Sequence, residues 1–373
     1  MSRQRVALFM TALAGGGAER VMLALAACFA ERDIEVDIVV TDARGALLDD
    51  VPRNVRLVNL GSRRIIMSLL PLVRYLRRER PDALLAALAP TNCIAVWARA
   101  IARVPLRLVV TEHNTLSKST VGATLSRARL LPPLMRYSYP LADAIVAVSA
   151  GVAEDLAATI GLPRARIDVI HNPVVSSSML EKSHAPIHHP WFKRGEPPVI
   201  LGVGRLTKQK DFPLLIRAFA RLRAQKEARL MILGEGDERA YLQTLVTELK
   251  LEEDVSLSGF VSNPYAYMRQ AAVFVLSSGW EGFGNVLVEA MACGTPVVST
   301  DCPSGPSEIL ENGKWGKLVP VGDELGMAQA IYDLLRNPRN DPASRGLHFT
   351  DTRAAEVYWS LIFRDERHVS SEQ

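Results

Sequence analysis

The amino-acid sequence predicts an α/β fold of two doubly wound domains, and three observations favour this class. Short apolar runs alternate with longer segments of helical spacing, as they do where crossover helices cover a parallel sheet. The alternation stops once near the middle of the chain and then resumes. At 373 residues, the chain also exceeds the length at which one hydrophobic core stops growing. We therefore expect two parallel sheets, each with its own core.

The first half of the chain contains six apolar runs that are typical of buried strands, because they are short and end in polar or glycine-containing segments. The predicted strands are residues 6–10, 36–41, 55–60, 83–88, 108–111 and 144–148. Helical spacing occupies segments between them, such as residues 18–31 and 92–102. This order predicts a doubly wound first domain.

Residues 172–198 interrupt the pattern with five prolines and clustered serines and histidines, a composition that favours a linker. Strands are then predicted at residues 199–203, 229–233, 255–257, 273–276 and 296–299. We place the first domain at residues 1–180, the linker at 181–197, the second domain at 198–345 and a final helical segment at 346–373. Such folds bind ligands at strand carboxyl ends and between domains, so we expect the site in a cleft between the two halves.

The composition excludes several classes of protein. A net charge of +4 is small for this length and gives no reason to expect a nucleic-acid partner. The four cysteines form no CxxC pair, which favours reduced thiols over disulfides or zinc ligands. No apolar stretch reaches the roughly 18 residues of a membrane-spanning helix. The apolar run at residues 6–14 resembles a secretory leader, but cleavage after it would remove the first strand, so we interpret it as a strand.

The first candidate motif is a run of three glycines, Gly15, Gly16 and Gly17, which follows the first predicted strand and opens a helix. Consecutive glycines let backbone N–H groups approach a ligand, and a helix N-terminus attracts a phosphate or a sugar oxygen. A tight turn without a ligand explains the same glycines. The run lacks the GxGxxG order of dinucleotide-binding dehydrogenases, which argues against that class.

The second motif lies where the first strand of the second domain runs into a helix, and it contains Gly204, Arg205 and Lys210. A guanidinium and an ammonium close together suit a diphosphate that must be held while a bond to it breaks. An arginine at the end of an apolar strand is hard to explain by solvation alone, whereas the neighbouring Lys208 is expected on the surface.

The third motif, residues 278–298, combines a strand end, a glycine loop and a helix. Glu281 is predicted in the loop and Glu289 inside the helix, so the two carboxylates can contact different parts of one ligand. The helix start near Asn285 offers N–H groups to a phosphate. We expect Glu289 to be buried among apolar neighbours, which is costly unless a hydroxyl or a cation engages it, and a structural salt bridge is the alternative.

The motifs and their order along the whole chain resemble glycosyltransferase family 4. The resemblance rests on GGGAER at residues 15–20, EHN at 112–114, VSAGV at 148–152, NPV at 172–174, the segment 204–212, and the pair Glu281 and Glu289. It implies the GT-B fold, in which two Rossmann-like doubly wound domains face each other across a cleft. It also implies that the last helix returns to the first domain.

The resemblance further implies roles for individual residues. Arg205 and Lys210 would hold the diphosphate of a nucleotide-sugar donor, Glu289 would bind the ribose hydroxyls, and Glu281 would lie near the transferred sugar. His113 would lie beside the sugar and the acceptor, and we group it with Glu281, Arg205 and Lys210 as catalytic. The residues expected to bind the donor are Gly15, Gly16, Gly17, Gly204, Arg205, Lys210, Phe260, Val261, Glu281, Gly282, Phe283, Gly284, Asn285, Val286 and Glu289.

The implied activity is transfer of a hexose or N-acetylhexosamine from a nucleotide sugar, with UDP as the expected nucleotide, to a lipid-linked or polysaccharide acceptor with retention at the anomeric carbon. No DxD-type acidic pair accompanies a glycine loop, so we expect no cofactor and no essential metal. A UDP-N-acetylglucosamine 2-epimerase and a non-catalytic nucleotide-sugar-binding subunit are the alternatives. The glycine run and the charges at Arg205, Lys210 and Glu289 favour the transferase.

Two further segments bear on where the reaction takes place. Residues 303–309 resemble the form found in bacterial members that build surface polysaccharides, O-antigens and lipid-linked oligosaccharides. Residues 63–80 interleave apolar residues with six arginines, Arg63, Arg64, Arg74, Arg77, Arg78 and Arg80. This pattern favours loose binding to an anionic membrane surface, and an ordinary helix with a solvated basic edge is the alternative. We expect a cytoplasmic protein, peripheral on the cytoplasmic face of the inner membrane.

Overall fold

The computed structural model describes residues 4–119, 125–337 and 341–363. Internal contacts divide the chain into two compact units. The first comprises Met1–Pro173 together with Asp351–Gln373, and the second comprises Val174–Thr350. Each unit contains one parallel sheet with helices between its strands, which confirms the predicted α/β class.

The sheet of the first unit has seven parallel strands. In chain order they are β1 (Arg5–Met10), β2 (Glu35–Val40), β3 (Arg56–Asn59), β4 (Ala83–Ala87), β5 (Arg107–Glu112), β6 (Ala144–Ala147) and β7 (Ile167–Val169). The helices are α1 (Gly17–Ala30), α2 (Leu69–Glu79), α3 (Ala89–Ala102), α4 (Leu116–Ser119), α5 (Leu125–Ser138) and α6 (Ala150–Ile160). Across the sheet the strands lie in the order β3-β2-β1-β4-β5-β6-β7.

The second unit repeats this plan with six parallel strands. They are β8 (Val199–Val203), β9 (Arg229–Leu233), β10 (Val255–Gly259), β11 (Val273–Leu276), β12 (Val297–Thr300) and β13 (Lys317–Val319). The helices are α7 (Ser177–Ser183), α8 (Phe212–Arg223), α9 (Arg239–Glu248), α10 (Pro264–Gln270), α11 (Asn285–Ala292), α12 (Pro306–Ile309), α13 (Glu324–Arg336) and α14 (Pro342–Gly346). The strand order is β10-β9-β8-β11-β12-β13.

The central strands are nearly continuous apolar runs because helices cover the sheets. In β1, every residue from Val6 to Met10 is buried. In the second unit, β9 shows the same burial from Leu230 to Leu233. A strand that is buried on both faces does not need an alternating polar face, so the run length, not a two-residue period, marks these strands in the sequence.

A last helix, α15 (Asp351–Ile362), belongs to the first unit. Its residues Ala355, Tyr358, Leu361 and Ile362 form part of the same hydrophobic core as β1 and α1. The Arg32 guanidinium, just after the end of α1, lies 4.3 Å from the ring centroid of Trp359 in α15, which is a cation–π contact. The core of the first unit is therefore built from two separate stretches of the chain.

The structure differs from the sequence prediction in three places. It adds the three-residue strands β7 and β13, which carry a polar residue each and are too short for a recognisable pattern. The segment predicted as a linker contains α7, in which the Ser176 hydroxyl accepts a hydrogen bond from the N–H of Met179, and α7 packs on α10. The contacts divide the chain after residues 173 and 350, compared with the predicted boundaries at 180 and 345.

Both sheets reverse their strand order at one point. In the first unit the reversal falls between β1 and β4, and in the second between β8 and β11. The loops that leave neighbouring strands at such a point diverge to opposite faces, and this opens a crevice at their carboxyl ends where open α/β sheets bind ligands. The three predicted motifs follow β1, β8 and β11, so each of them lies at a reversal point.

Candidate functional site

The loop that follows β8 brings Lys210 back across Gly204. A Cβ atom added to Gly204 would lie 3.2 Å from Cε of Lys210, so the lysine side chain passes directly over this glycine. The helix that follows is capped by Asp211, whose carboxylate accepts a hydrogen bond from the N–H of Leu214 at 3.4 Å. The cap fixes where α8 begins and, with it, where the lysine leaves the backbone.

Lys210 meets Glu281, which the loop after β11 supplies. Nζ of Lys210 lies 2.5 Å from Oε1 of Glu281, and the Ser278 hydroxyl donates a second hydrogen bond to the same oxygen at 2.7 Å. The two charged side chains are only 16% and 8% exposed. A charge-assisted hydrogen bond between groups so little exposed is stronger than a surface ion pair, because less water screens it.

The two loops are also joined through their backbones. The N–H of Gly279 donates to the carbonyl of Gln209 at 2.8 Å, and the side-chain amide of Gln209 donates to the carbonyl of Trp280 at 3.0 Å. The Ser277 hydroxyl donates to the carbonyl of Lys210 at 2.7 Å. These bonds hold the loops after β8 and β11 in one arrangement, on which the Lys210–Glu281 contact depends.

The helix α11 starts directly after this loop. Gly284 precedes it with φ at +102°, a conformation that favours glycine. Asn285 and Val286 are half-buried, and so is Glu289, whereas Gly282 and Phe283 are buried. The expectation of a buried Glu289 is therefore wrong in degree, because one side of this short helix remains accessible to solvent.

The segment after β12 is pressed against the same loop. Gly305 has φ at +95°, and a Cβ atom there would lie 1.8 Å from the carbonyl oxygen of Phe283. The preceding Ser304 also has a positive φ, +70°. Residues 303–309, whose form resembles that of bacterial members that build surface polysaccharides, thus contact the glycine loop of the third motif.

Arg205 is exposed to solvent, as is Lys208. The surface position of Lys208 confirms its prediction, and the exposed side chain of Arg205 is accessible to a ligand, so its expected contact with a diphosphate stays a prediction. Phe260 and Val261 follow the edge strand β10, where Phe260 is 71% exposed and Val261 is half-buried. Both lie further from the reversal point than the other predicted donor-binding residues of this unit.

The glycine run of the first unit forms the turn between β1 and α1. Gly15 has φ at +109°, Gly16 occupies the N-cap position, and Gly17 is the first residue of the helix. A Cβ atom on Gly16 would lie 2.3 Å from Oε2 of Glu19, whose carboxylate folds back over the loop. Glycine is thus favoured at residue 15 by backbone conformation, whereas a larger residue at position 16 would displace the Glu19 carboxylate.

His113 follows β5, two strands from β1 across the sheet, and is buried. Its Nε2 lies 3.0 Å from the hydroxyl oxygen of Thr111. Burial lowers the pKa of His113 to about 4, because the charged imidazolium loses its hydration. The ring is therefore neutral at physiological pH.

The neighbouring Glu112 belongs to a buried polar cluster. Its carboxylate accepts hydrogen bonds from the Tyr139 hydroxyl and from the side-chain amide of Asn92, the latter at 2.9 Å. Burial raises the pKa of Glu112 to about 7, although both hydrogen bonds favour the charged form. This cluster fixes the end of β5 against α3, directly beside His113.

Sequence reasoning missed several residues that shape these loops. Ser278 and Gln209 orient the charged pair, and neither residue type signals such a role by itself. Gly234 and Gly236 follow β9 with positive φ, and a Cβ atom on Gly234 would lie 1.9 Å from the carbonyl oxygen of Gly204. Two glycines directly after an apolar strand are a readable signal that the sequence interpretation did not use.

The described parts of the chain contain no group of three or more histidine, cysteine or carboxylate side chains placed to hold a metal ion. All four cysteines are free thiols, as predicted. Within residues 4–119, 125–337 and 341–363, no helix is long and apolar enough to cross a membrane. At the second reversal point, the described residues include the paired ammonium of Lys210 and carboxylate of Glu281, and the helix α11 begins directly after them.

Two doubly wound units with a cation–carboxylate pair at a reversal point fit the arrangement that the sequence predicted for a transferase of the GT-B class. Residues 15–177 match the family described as Glycosyltransferase Family 4, and residues 185–346 match the one described as Glycosyl transferases group 1. The chain belongs to glycosyltransferase family 4 and is a hexosyltransferase. The prediction of a transferase, and not a 2-epimerase or a non-catalytic subunit, is confirmed.

Two curated relatives from bacteria match most of the chain. One is the N-acetylgalactosamine-N,N'-diacetylbacillosaminyl-diphospho-undecaprenol 4-alpha-N-acetylgalactosaminyltransferase of Campylobacter jejuni, 32% identical over 90% of this chain and 91% of the relative. The other is the lipopolysaccharide core biosynthesis glycosyltransferase LpsE of Rhizobium meliloti, 32% identical over 86% of each chain.

Solved structures agree with the fold at lower identity. HepE from Anabaena, crystallised with UDP, is 22% identical with a TM-score of 0.75, and the match covers 96% of this chain and 98% of that one. A sucrose-phosphate synthase from Thermosynechococcus elongatus is 20% identical with a TM-score of 0.79, over 97% and 98%. These likenesses confirm the predicted GT-B fold.

Proposed function

We propose that this enzyme transfers a hexose or N-acetylhexosamine from a UDP-sugar to a lipid-linked or polysaccharide acceptor in cell-surface glycan synthesis, with retention at the anomeric carbon. The observation that carries the proposal is the contact of Lys210 with Glu281 at the reversal point of the second sheet. The names of the two relatives, one specifying a diphospho-undecaprenol acceptor and one a lipopolysaccharide core, support the acceptor class. UDP in the Anabaena crystals supports the nucleotide.

Lys210 and Arg205 are the proposed contacts of the donor diphosphate. An ammonium has three N–H donors, so Lys210 can hold Glu281 and still donate to a phosphate oxygen. During transfer, the bond from the anomeric carbon to the diphosphate oxygen breaks, and a bond to the acceptor oxygen forms on the same face. The departing oxygen takes the acceptor's proton while the two cations stabilise its negative charge. On this proposal neither a cofactor nor an essential metal takes part.

The remaining predicted residues are assigned to other parts of the donor. Glu289, on the accessible side of α11, binds the ribose hydroxyls, and the first N–H groups of α11 near Asn285 face the diphosphate. Glu281 and His113 contact the transferred sugar. In the second unit, the other proposed donor contacts are Gly204, Phe260, Val261, Gly282, Phe283, Gly284 and Val286. In the first unit, the glycine run Gly15, Gly16 and Gly17 is likewise proposed to contact the donor.

The test is a donor screen followed by a transfer assay. Thermal-shift measurements with UDP-, GDP- and ADP-sugars should give the largest stabilisation with a UDP-sugar, because a ligand that binds only the folded state raises the unfolding temperature. The tightest donor is then incubated with an undecaprenyl-diphosphate-linked saccharide, with and without a chelator. We expect an α-linked product from an α-linked donor, formed at the same rate with and without the chelator. Inversion, or loss of turnover in chelator, would contradict the mechanism.

We also propose that the basic segment at residues 63–80 binds an anionic membrane surface on the cytoplasmic side. The helix α2 and the 3₁₀ turn Ile65–Ser68 before it bury Leu72, Val73 and Leu76 against the sheet side. The opposite side exposes Ile66, Met67 and Leu70, which are 64%, 63% and 59% exposed. Apolar side chains that point outward beside exposed arginines fit the boundary between lipid headgroups and acyl chains.

The arginines of this segment are not equivalent. Arg77 donates to the carbonyls of Ile101 and Ala102 and so caps the end of α3, and Arg78 pairs with Glu79. Arg63, Arg64 and Arg74 are exposed and are the proposed lipid contacts. Each cation near an anionic bilayer contributes about 1 kcal/mol.

Liposome sedimentation tests the membrane proposal. Replacement of Arg63, Arg64 and Arg74 by glutamine, or of Ile66 and Met67 by serine, should each reduce binding to phosphatidylglycerol vesicles. A matched control replaces three exposed cations of the second unit by glutamine, namely Lys193, Arg194 and Lys250. If all three variants bound the vesicles as the wild type does, the membrane proposal would be wrong. The proposal on donor binding does not depend on this result.

A further inference from the structure

The hydroxyl of Thr111 has two polar neighbours and only one hydrogen to donate. Its Oγ1 lies 2.9 Å from the carbonyl oxygen of Ala86 and 3.0 Å from Nε2 of His113. The carbonyl oxygen can only accept, so the hydroxyl must donate to it. The contact with the histidine then requires that Nε2 carries a hydrogen and that Thr111 accepts it. The reverse assignment would place two acceptors 2.9 Å apart.

Thr111 is held firmly enough for this argument. It is fully buried and pairs with Ala87 in β4 on one side and with Val146 in β6 on the other. Its carbonyl oxygen accepts from the N–H of Leu88 at 3.1 Å and from the side-chain amide of Asn92 at 2.9 Å. The hydroxyl is therefore attached to a backbone position that strand pairing holds on both sides and that two hydrogen bonds to its carbonyl oxygen fix further.

The other ring nitrogen of His113 is left with a lone pair and no hydrogen. Nδ1 is buried and has no hydrogen-bond partner among the described residues. A buried acceptor without a donor loses its hydration for nothing in return, so a ligand that supplies the missing donor would gain a hydrogen bond here. Because burial also lowers the pKa of His113 to about 4, the ring does not gain a second hydrogen near neutral pH.

We propose that Thr111 is a positioning residue that fixes His113 in the Nε2–H form, so that Nδ1 accepts a hydrogen bond from a hydroxyl group of a sugar substrate. The proposal rests on the proposed function and deepens it. A phosphate oxygen carries no hydrogen to donate at neutral pH, so this form of His113 recognises the sugar and not the diphosphate. The hydroxyl can belong to the donor sugar or to the acceptor, and the binding test below separates the two.

Nitrogen-15 spectroscopy of the ring tests the tautomer directly in the full-length protein. With ¹⁵N-histidine labelling and His113→Gln to assign the signals, His113 should show a hydrogen on Nε2 and none on Nδ1 between pH 6 and 8. Thr111→Val removes the acceptor and should give a mixture of the two forms, and Thr111→Ser should restore the wild-type signal. A wild-type ring protonated at Nδ1, or a mixture of the two forms, would overturn the proposal whether or not the Thr111 variants fold.

Binding measurements test the consequence for the substrate. Thr111→Val should weaken binding of UDP-N-acetylgalactosamine by about tenfold while UDP binds unchanged, if the hydroxyl belongs to the donor sugar. If the hydroxyl belongs to the acceptor, the affinities for the UDP-sugar and for UDP should both equal those of the wild type, and the KM for the acceptor should rise by a similar factor. Thr111→Ser should reverse either change. No change in donor affinity or acceptor KM would overturn the substrate contact, whereas absence of any UDP-sugar binding by the wild type would instead contradict the proposed function.

Discussion

Nζ of Lys210 lies 2.5 Å from Oε1 of Glu281, although the two residues are 71 positions apart in the chain. The pair exists because β8 and β11 are neighbours in the sheet and their following loops share hydrogen bonds. Before a ligand binds, the cation proposed for the diphosphate is thus already paired with a carboxylate. This gives the two members of the pair opposite expected effects on nucleotide affinity.

Lys210→Ala should weaken UDP binding by about 1 to 3 kcal/mol, because a charge-assisted contact with the diphosphate is lost. It should also lower the unfolding temperature, since Glu281 is left as a largely buried carboxylate without its cation. Isothermal titration calorimetry and thermal unfolding measure the two effects. Lys208→Ala, on the exposed side of the same loop, is the matched control and should change neither. Unaltered UDP affinity in Lys210→Ala would exclude the diphosphate assignment.

Glu281→Gln should bind UDP more tightly than the wild type, because the neutral amide no longer repels the diphosphate nor competes for Lys210. Transfer should nevertheless slow down, since the carboxylate proposed beside the sugar is gone. The amide oxygen can still accept from Ser278, which keeps the loop in place. Calorimetry with UDP and initial rates of transfer provide the readouts. Weaker UDP binding would mean that the carboxylate chiefly positions the lysine.

Glu289→Ala should abolish discrimination between UDP and 2'-deoxy-UDP. The wild type is expected to bind the deoxy compound more weakly by about 1 to 3 kcal/mol, because the carboxylate loses one of its ribose partners. In the variant, the two nucleotides should have equal affinity. Glu248→Ala, at the exposed end of α9, serves as the control. Discrimination that persists in Glu289→Ala would assign the ribose to another group.

Glu112→Gln should remove a dependence of stability on pH. The pKa of Glu112 is about 7 in the folded chain and near 4.5 in the unfolded one, so between these values the folded state holds a proton that the unfolded state has lost. The free energy of unfolding of the wild type therefore falls as pH rises from 4.5 to 7, by up to about 3 kcal/mol. The amide still accepts from Tyr139 and Asn92 but does not titrate.

Urea unfolding at pH 5, 6, 7 and 8 measures the difference between Glu112→Gln and the wild type. The variant should gain relative stability as pH rises through this range. The opposite contribution comes from His113, whose lowered pKa makes the folded state lose stability as pH falls from about 6.5 towards 4. The contribution of His113 is the same in the wild type and in Glu112→Gln, so it cancels in the difference between their free energies of unfolding. A pH-independent difference would show that Glu112 is ionised in the folded protein throughout.

The sequence predicted the positions of eleven strands because each is a short apolar run between turn-forming residues, and doubly buried strands need no finer pattern. It did not predict β7 or β13, which lie at sheet edges. Each has only three residues, too few for an alternation of apolar and polar residues to be recognised. The α7 helix was hidden by the prolines around it. A capping serine and one buried methionine stabilise this helix. Both residue types are common outside helices, so they do not predict a helix from the sequence alone.

At the site, the residue types could be read from the motifs but not their partners. Which loops meet depends on the order of strands in the sheet, and nothing within residues 204–212 or 278–298 encodes that β8 lies beside β11. The role of Thr111 was likewise invisible, because it depends on the carbonyl of Ala86 in another strand.

The place of α15 has a consequence for how the protein is made. The second unit is one continuous stretch of the chain, residues 174–350, so its core can form without any residue of the first unit. The first unit, in contrast, lacks Tyr358 and its neighbours until α15 has been synthesised, which is after the whole of the second unit. A nascent chain arrested before residue 351 would therefore hold an incomplete core in its first unit and expose apolar surface to chaperones.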